Sequence, residues 1–212
     1  MLIELLHRTG LVAILRGITS AEVAAVGDAL FGAGFRILEV PLNSKDAIES
    51  IRILRAHVPR ECLVGAGTVT TPAQVDAVRI VGGELIVMPH SDPNVIRAAK
   101  VARLSVMPGV ATPSEAFAAL TAGADALKMF PAELLGPAVL KAWRAVLPAE
   151  TALVPVGGIT QVKLASFVAA GATGVGLGSA LYAAGSTPAE VATRAAGFVD
   201  AWNAARDWHG DR

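Results

Sequence analysis

Leu104-Ser105-Val106-Met107-Pro108-Gly109-Val110, followed by Ala111 and then Thr112-Pro113-Ser114-Glu115, places an apolar, strand-like run directly before a helix start. The run has the make-up of a strand buried on both faces. Thr112 and Glu115 can satisfy each other's free N–H groups as a capping box, and Pro113 falls at the first helical position, where its missing N–H costs nothing. The same signature recurs outward in both directions, at Thr71-Pro72-Ala73-Gln74, at Thr187-Pro188-Ala189-Glu190, and without proline from Thr19 to Glu22. Weaker starts at Ser44, at Ser91 before Pro93, at Gly136-Pro137 and at Thr160 complete a series with a mean spacing of about 24 residues.

Each start follows an apolar run, over 11–16, 37–42, 63–69, 85–89, 104–110, 126–131, 152–158 and 174–178. Turns such as Gly32-Ala33-Gly34, Gly82-Gly83, Ala122-Gly123-Ala124 and Ala170-Gly171-Ala172 suit left-handed helix ends. Strand and helix alternating eight times predict parallel pairing with right-handed crossovers. The expected fold is α/β, a (β/α)8 TIM barrel forming one domain over residues 1–212. A short helix within residues 1–9 should close its bottom, and the polar tail from Arg206 should fray. The rival is a doubly wound open sheet, but the turn after the first strand reads Arg16-Gly17-Ile18-Thr19, without the G-x-G-x-x-G of a dinucleotide site.

Apolar residues make up 53% of the 212-residue chain and charged residues 17%, and 18 Lys and Arg balance 18 Asp and Glu. No basic surface for nucleic acid or anionic membrane is expected. The single Cys62 cannot staple a fold, and His7, His57, His90 and His209 are too scattered for a metal site. A cytoplasmic, metal-free protein is the expectation, and Met1-Leu2-Ile3-Glu4 has neither the basic nor the apolar segment of a leader. Residues 164–189 lack Lys, Arg, Asp and Glu, a length that could cross a bilayer. The glycines at 171, 174, 176, 178 and 185 divide that stretch into helix, turn, strand and turn, so no membrane span is expected.

Barrel active sites lie at the C-terminal strand ends. Three charges stand there: Arg16 at the end of the first run, Glu39 in the second and Lys128 in the sixth. Side-chain alternation sets Glu39 opposite Leu38 and Val40, and Lys128 opposite Leu127 and Met129, so both charges point into the mouth if the aliphatics face the helices. One reading makes them buried ion pairs that fill a layer of the barrel. Such pairs add little over well-packed aliphatics. The other reading is chemical, because burial and a neighbouring Arg16 would favour the neutral amine that a Schiff-base nucleophile needs. Lowering a lysine from about 10.4 to about 7 takes roughly 4 to 5 kcal/mol.

Val156-Gly157-Gly158-Ile159 and Gly176-Leu177-Gly178-Ser179 end the last two strands, where barrels bind phosphate on backbone N–H groups. Taken singly, each could be a tight turn. Thr68 and Pro89 end the third and fourth strands and either line a pocket or turn the chain. Cys62 reads as core and His90 as a solvent-exposed loop residue, while Trp143, Trp202 and Trp208 read as packing or subunit-contact residues.

V-A-I-L-R-G, Glu39, G-A-G-T-V, L-K-M-F-P, V-G-G-I and G-L-G-S, in this order and spacing, resemble the 2-keto-3-deoxy-6-phosphogluconate aldolase family over nearly the whole chain. The resemblance implies that Lys128 forms a Schiff base with a C2 ketone and that Glu39 is the general acid/base. It further implies that Arg16 holds the pyruvate carboxylate with Thr68 and Pro89 nearby, that Phe130 packs beside the imine, and that Gly157, Gly158, Gly178 and Ser179 take the phosphate. Gluconate-type members carry Arg and Thr where this chain has Asn43 and Val156, so the resemblance points to the galactonate-type branch and to the galactonate-derived C4 epimer. It implies no metal or organic cofactor, a small phosphorylated keto-deoxy sugar acid as partner, and a homotrimer. The gluconate epimer is the alternative substrate. A phosphosugar isomerase or epimerase, or a noncatalytic barrel that binds a phosphorylated ligand, remains the alternative from other classes.

Overall fold

The computed structural model describes residues 1–210, with side chains placed through residue 207. The first half of the chain forms α1 (Leu2–Arg8), β1 (Leu11–Ile14), α2 (Val23–Ala33), β2 (Ile37–Pro41), α3 (Ala47–His57), β3 (Leu63–Gly67), α4 (Pro72–Ile80), β4 (Leu85–Val87) and α5 (Pro93–Val101). The second half forms β5 (Ser105–Met107), β6 (Gly109–Val110), α6 (Pro113–Thr121), β7 (Ala126–Met129), α7 (Ala132–Arg144), β8 (Ala152–Pro155), α8 (Gln161–Ala169), β9 (Val175–Leu177) and α9 (Pro188–Gly210). Each apolar run yields strand, broken in one place at Pro108, whose ring nitrogen has no proton for a ladder bond.

Thr71 and Thr112 form complete capping boxes with Gln74 and Glu115, and Thr160 caps α8 through the Lys163 N–H. Thr187 and Glu190 bond reciprocally before α9. Four expected starts move. Thr19 caps nothing: α2 begins at Val23, and the Thr19 hydroxyl donates to the Glu22 carboxylate at 3.0 Å. Ser44 instead accepts the Gly17 N–H at 2.8 Å, leaving α3 to begin after Asp46 in a left-handed conformation. Asp92 rather than Ser91 caps α5, and α7 starts at Ala132 with a break at Gly136 (φ 70°, ψ 170°) before Pro137. The helix α9 does not end at Arg206 but continues to Gly210. The side chains of Trp208 and His209 lie outside the described residues.

All strand pairs are parallel, in the orders β5-β4-β3-β2-β1-β9 and β6-β7-β8. Only Pro108 separates β5 from β6, and a bridge between Val156 and Gly176 links the end of β8 to β9. The result is an α/β fold with a curled parallel sheet. Its two faces carry separate apolar clusters. Leu11, Ala13, Leu38, Val40, Leu127 and Met129 belong to the larger cluster, packed against the helices. Val12, Ile14, Ile37, Ala126 and Val154 belong to the smaller one, on the concave face, to which α1 contributes Leu2, Leu5 and Leu6. By alternation Glu39 and Lys128 therefore share the concave face, as their aliphatic neighbours predicted. Trp143 and Trp202 are packing residues of the larger cluster, and Cys62 is a buried free thiol. No described helix is long and apolar enough to cross a membrane.

Candidate active site

Glu39 and Lys128 are buried charges, 2% and 6% exposed. Register places Glu39 opposite Ile14 on one side and Gly65 on the other, and Lys128 opposite Gly109. The glycines of G-A-G act here through space rather than flexibility: a Cβ at Gly67 would overlap the Glu39 carboxylate, and one at Gly65 would overlap the Leu85 backbone. Burial pushes the Glu39 carboxyl up to about 7, against the downward pull of Lys128 and Arg16. Its Oε2 is buried without a hydrogen-bond partner. Burial likewise lowers the Lys128 ammonium, Glu39 opposes that shift and Arg16 adds to it. The pair thus combines an amine whose ammonium form is disfavoured by burial with a carboxyl whose proton affinity burial raises. The Phe130 ring lies 4.6 Å from the Lys128 Nζ.

Arg16 departs from the sequence reading. β1 ends two residues before it, and its side chain is exposed, with Nη1 donating to Asn43 Oδ1 at 2.7 Å. Asn43 is therefore a holder of Arg16. A cavity of about 300 Å³ joins Arg16, Lys128 and Phe130 to Val156, Gly157, Gly158, Gly178 and Ser179. The N–H groups of Gly158, Ile159, Ser179 and Ala180 donate to no protein acceptor among the described residues. Four free amides from two adjacent loops, with the Ser179 and Thr160 hydroxyls, suit an anion. Gly157 and Gly158 have φ of 110° and 63°, so they also serve the turn.

Thr68 and Pro89 stand at the ends of β3 and β4 but do not line this cavity. Thr68 holds a left-handed φ of 56°, a conformation costly for a β-branched residue. The backbone of Pro89 is crossed so closely by Gly109 that a Cβ there would come within 2.7 Å. His90 is half-buried, not exposed, with its Nδ1 buried and unpartnered. Among the described residues no three His, Cys, Asp or Glu side chains group to hold a metal ion.

Sequence reading missed two features. Glu133 lines the same cavity, and a Cβ at Gly158 would lie 2.7 Å from its Oε2. Extending the strand-end search into the first turn of α7 finds it. The second is a tie between loops: the Tyr182 hydroxyl, after β9, donates to Glu22, which precedes α2. No local signal marks a pair so distant in sequence.

A buried amine that lines a cleft with free backbone amides, paired with a carboxyl of raised proton affinity, is an arrangement suited to lysine-dependent aldol chemistry. The chain belongs to the KDPG and KHG aldolase family, whose model matches residues 2–194. It is 46% identical over 194 residues to the probable 2-dehydro-3-deoxy-6-phosphogalactonate aldolase of Rhizobium meliloti (strain 1021), covering 92% of each chain. It is 47% identical over 195 residues to the 2-dehydro-3-deoxy-6-phosphogalactonate aldolase of Escherichia coli (strain K12), covering 92% of this chain and 95% of that one. A solved structure described as native KDPGal superposes with a TM-score of 0.92 at 47% identity, covering 93% of this chain and 96% of its own.

Proposed function

We propose that this chain is a class I aldolase that cleaves 2-dehydro-3-deoxy-6-phosphogalactonate to pyruvate and D-glyceraldehyde 3-phosphate. The observation that carries this reading is Lys128, buried on the concave face beside Glu39 with its ammonium form disfavoured. The neutral amine adds to the C2 ketone, and Glu39 supplies the proton with which hydroxide leaves the carbinolamine as water. The C4 hydroxyl then loses its proton to the Glu39 carboxylate. Electrons of the C3–C4 bond flow into the protonated imine, and the aldehyde departs, leaving an enamine. Protonation at C3 and hydrolysis release pyruvate and restore the amine. A carboxyl near 7 can give and take protons at neutral pH, which this sequence of steps requires.

Arg16, held by Asn43, takes the substrate carboxylate, with Thr68 and Pro89 at its margin and Phe130 against the imine. Gly157, Gly158, Gly178 and Ser179 take the phosphate. The eight strand–helix units close as a (β/α)8 barrel: the single-residue gap at Pro108 and the Val156–Gly176 bridge support that closure. The chain acts as one domain over residues 1–212, as a cytoplasmic homotrimer, without metal or organic cofactor. A buried lysine speaks against an isomerase or epimerase reaction and against mere ligand binding, and the gluconate epimer, whose cleavage would use the same lysine, is disfavoured by the 46% and 47% identity to relatives named for the galactonate-derived substrate.

Val156 is 5% exposed against Gly176 at the cavity wall and sets the C4 preference together with Asn43. The test is cleavage of both C4 epimers, followed by pyruvate release. The galactonate-derived epimer should show a kcat/KM at least equal to that of the gluconate epimer, and Val156→Thr should move the ratio toward gluconate. A strong wild-type preference for gluconate, or an unmoved ratio in the variant, refutes the epimer assignment, and no pyruvate from either refutes the aldolase.

A further inference from the structure

Within the cavity shared by Lys128 and the two glycine loops, Glu133 is the single acidic group of the lining. It is exposed to the cleft and forms no hydrogen bond or ion pair with protein among the described residues. Its Oε2 lies over the Gly157–Gly158 turn, where an added Cβ would sit 3.6 Å and 2.7 Å away respectively. The rest of the polar lining donates: Arg16, Lys128, the Thr160 and Ser179 hydroxyls, and the free amides. A carboxylate only accepts, so among anionic ligands it can be matched only by a hydroxyl. A phosphate dianion offers no proton.

The geometry points to Glu133 as a specificity-determining residue that accepts a hydrogen bond from the hydroxyl on the carbon next to the phosphate-bearing one. This deepens the aldolase reading and rests on it. With the phosphate on the amides of the two loops and C2 bonded to Lys128, the carbons between must cross the cleft past Gly158. The C5 hydroxyl is the donor nearest the phosphate end, where the carboxylate stands. Glu133 would thereby select 2-hydroxy aldehydes as partners in the condensation direction. A site built around a hydroxyl rejects the analogue that lacks it, because its acceptor is left unmatched.

Condensation of pyruvate with D-glyceraldehyde 3-phosphate and with 3-oxopropyl phosphate, the same aldehyde without its 2-hydroxyl, tests this. Wild type should favour the hydroxylated aldehyde by about tenfold or more in kcat/KM. Glu133→Ala should bring the two near parity, while Glu133→Gln, which keeps a carbonyl acceptor, retains part of the preference. Borohydride trapping of pyruvate should be unaffected in both variants. An undiminished preference in Glu133→Ala overturns the proposal. So does a variant that gains equally on both phosphates, which would make Glu133 a source of charge repulsion only. Failure of wild type to condense either aldehyde would instead remove the aldolase reading itself.

Discussion

Replacing Glu39 by Gln should separate activity from stability, and in a pH-dependent way. The folded carboxyl is raised from 4.5 to about 7, a change worth about 3 kcal/mol between its two protonation states. Below pH 4.5 both folded and unfolded chains carry the proton, and the group contributes no difference. Between pH 4.5 and 7 the unfolded chain releases a proton that the folded chain keeps, so stability falls as pH rises, and above 7 the full cost is present. Glu39→Gln removes that cost, which is already net of the attraction of Lys128 and Arg16, but puts an amide with new hydrogen-bonding needs in the same buried place. The expected net gain is therefore about 1 to 3 kcal/mol at pH 8 and under about 1 kcal/mol at pH 5. For a chain of this size each kcal/mol moves Tm by roughly 2 to 4 °C. Thermal unfolding of both proteins at pH 5 and pH 8, at one fixed protein concentration, measures this, and turnover of the same samples should fall by about 10² to 10⁴. An equal stability change at the two pH values would refute the raised carboxyl. Near wild-type turnover would refute its role as proton carrier.

Borohydride with pyruvate should trap an adduct on Lys128 alone, since Lys100, Lys141 and Lys163 lie on helices and Lys45 in the turn before α3. Peptide mapping of the adduct to any other lysine rejects the mechanism. Gly178→Leu should raise KM for phosphorylated substrate about tenfold or more while sparing pyruvate trapping, because a Cβ there meets no protein atom and projects into open space. Equal losses with phosphorylated and unphosphorylated aldehydes would assign Gly178 to the fold. Tyr182→Phe cuts the tie to Glu22 that joins the loop after β9 to the segment following β1. A severalfold rise in KM for phosphorylated substrate with kcat held within about twofold is expected. A fall in kcat alone would argue against a positioning role.

The contrast between Gly158 and Gly178 shows where sequence reading stops. Both read as phosphate-loop glycines, yet Gly178 is open, whereas Gly158 combines a φ of 63° with the Glu133 side chain in the space a Cβ would need. A bulky residue at Gly158 would therefore disturb turn, carboxylate and ligand together, and only Gly178 isolates the ligand. Arg16 is a similar case. Its place near a strand end is local information, but its exposure and its bond to Asn43 depend on where β1 stops relative to the loop after β2.

Period alone determined the strand–helix alternation, and side-chain alternation along β2 and β7 determined that Glu39 and Lys128 share one face. Both are properties of a few consecutive residues, written by backbone geometry. The helix caps at Thr71, Thr112 and Thr160 were equally local, and so legible. The caps expected at Thr19 and Ser44 were not, because their hydroxyls serve other partners: Glu22, itself bonded to Tyr182, and the Gly17 amide from a different unit. Tertiary structure also decided the burial that lifts Glu39 to about 7 and lowers Lys128, the entry of Glu133 into the cleft and the convergence of two amide-lined loops. These depend on desolvation and on contacts between units far apart in the chain, and neither exists until the sheet has curled.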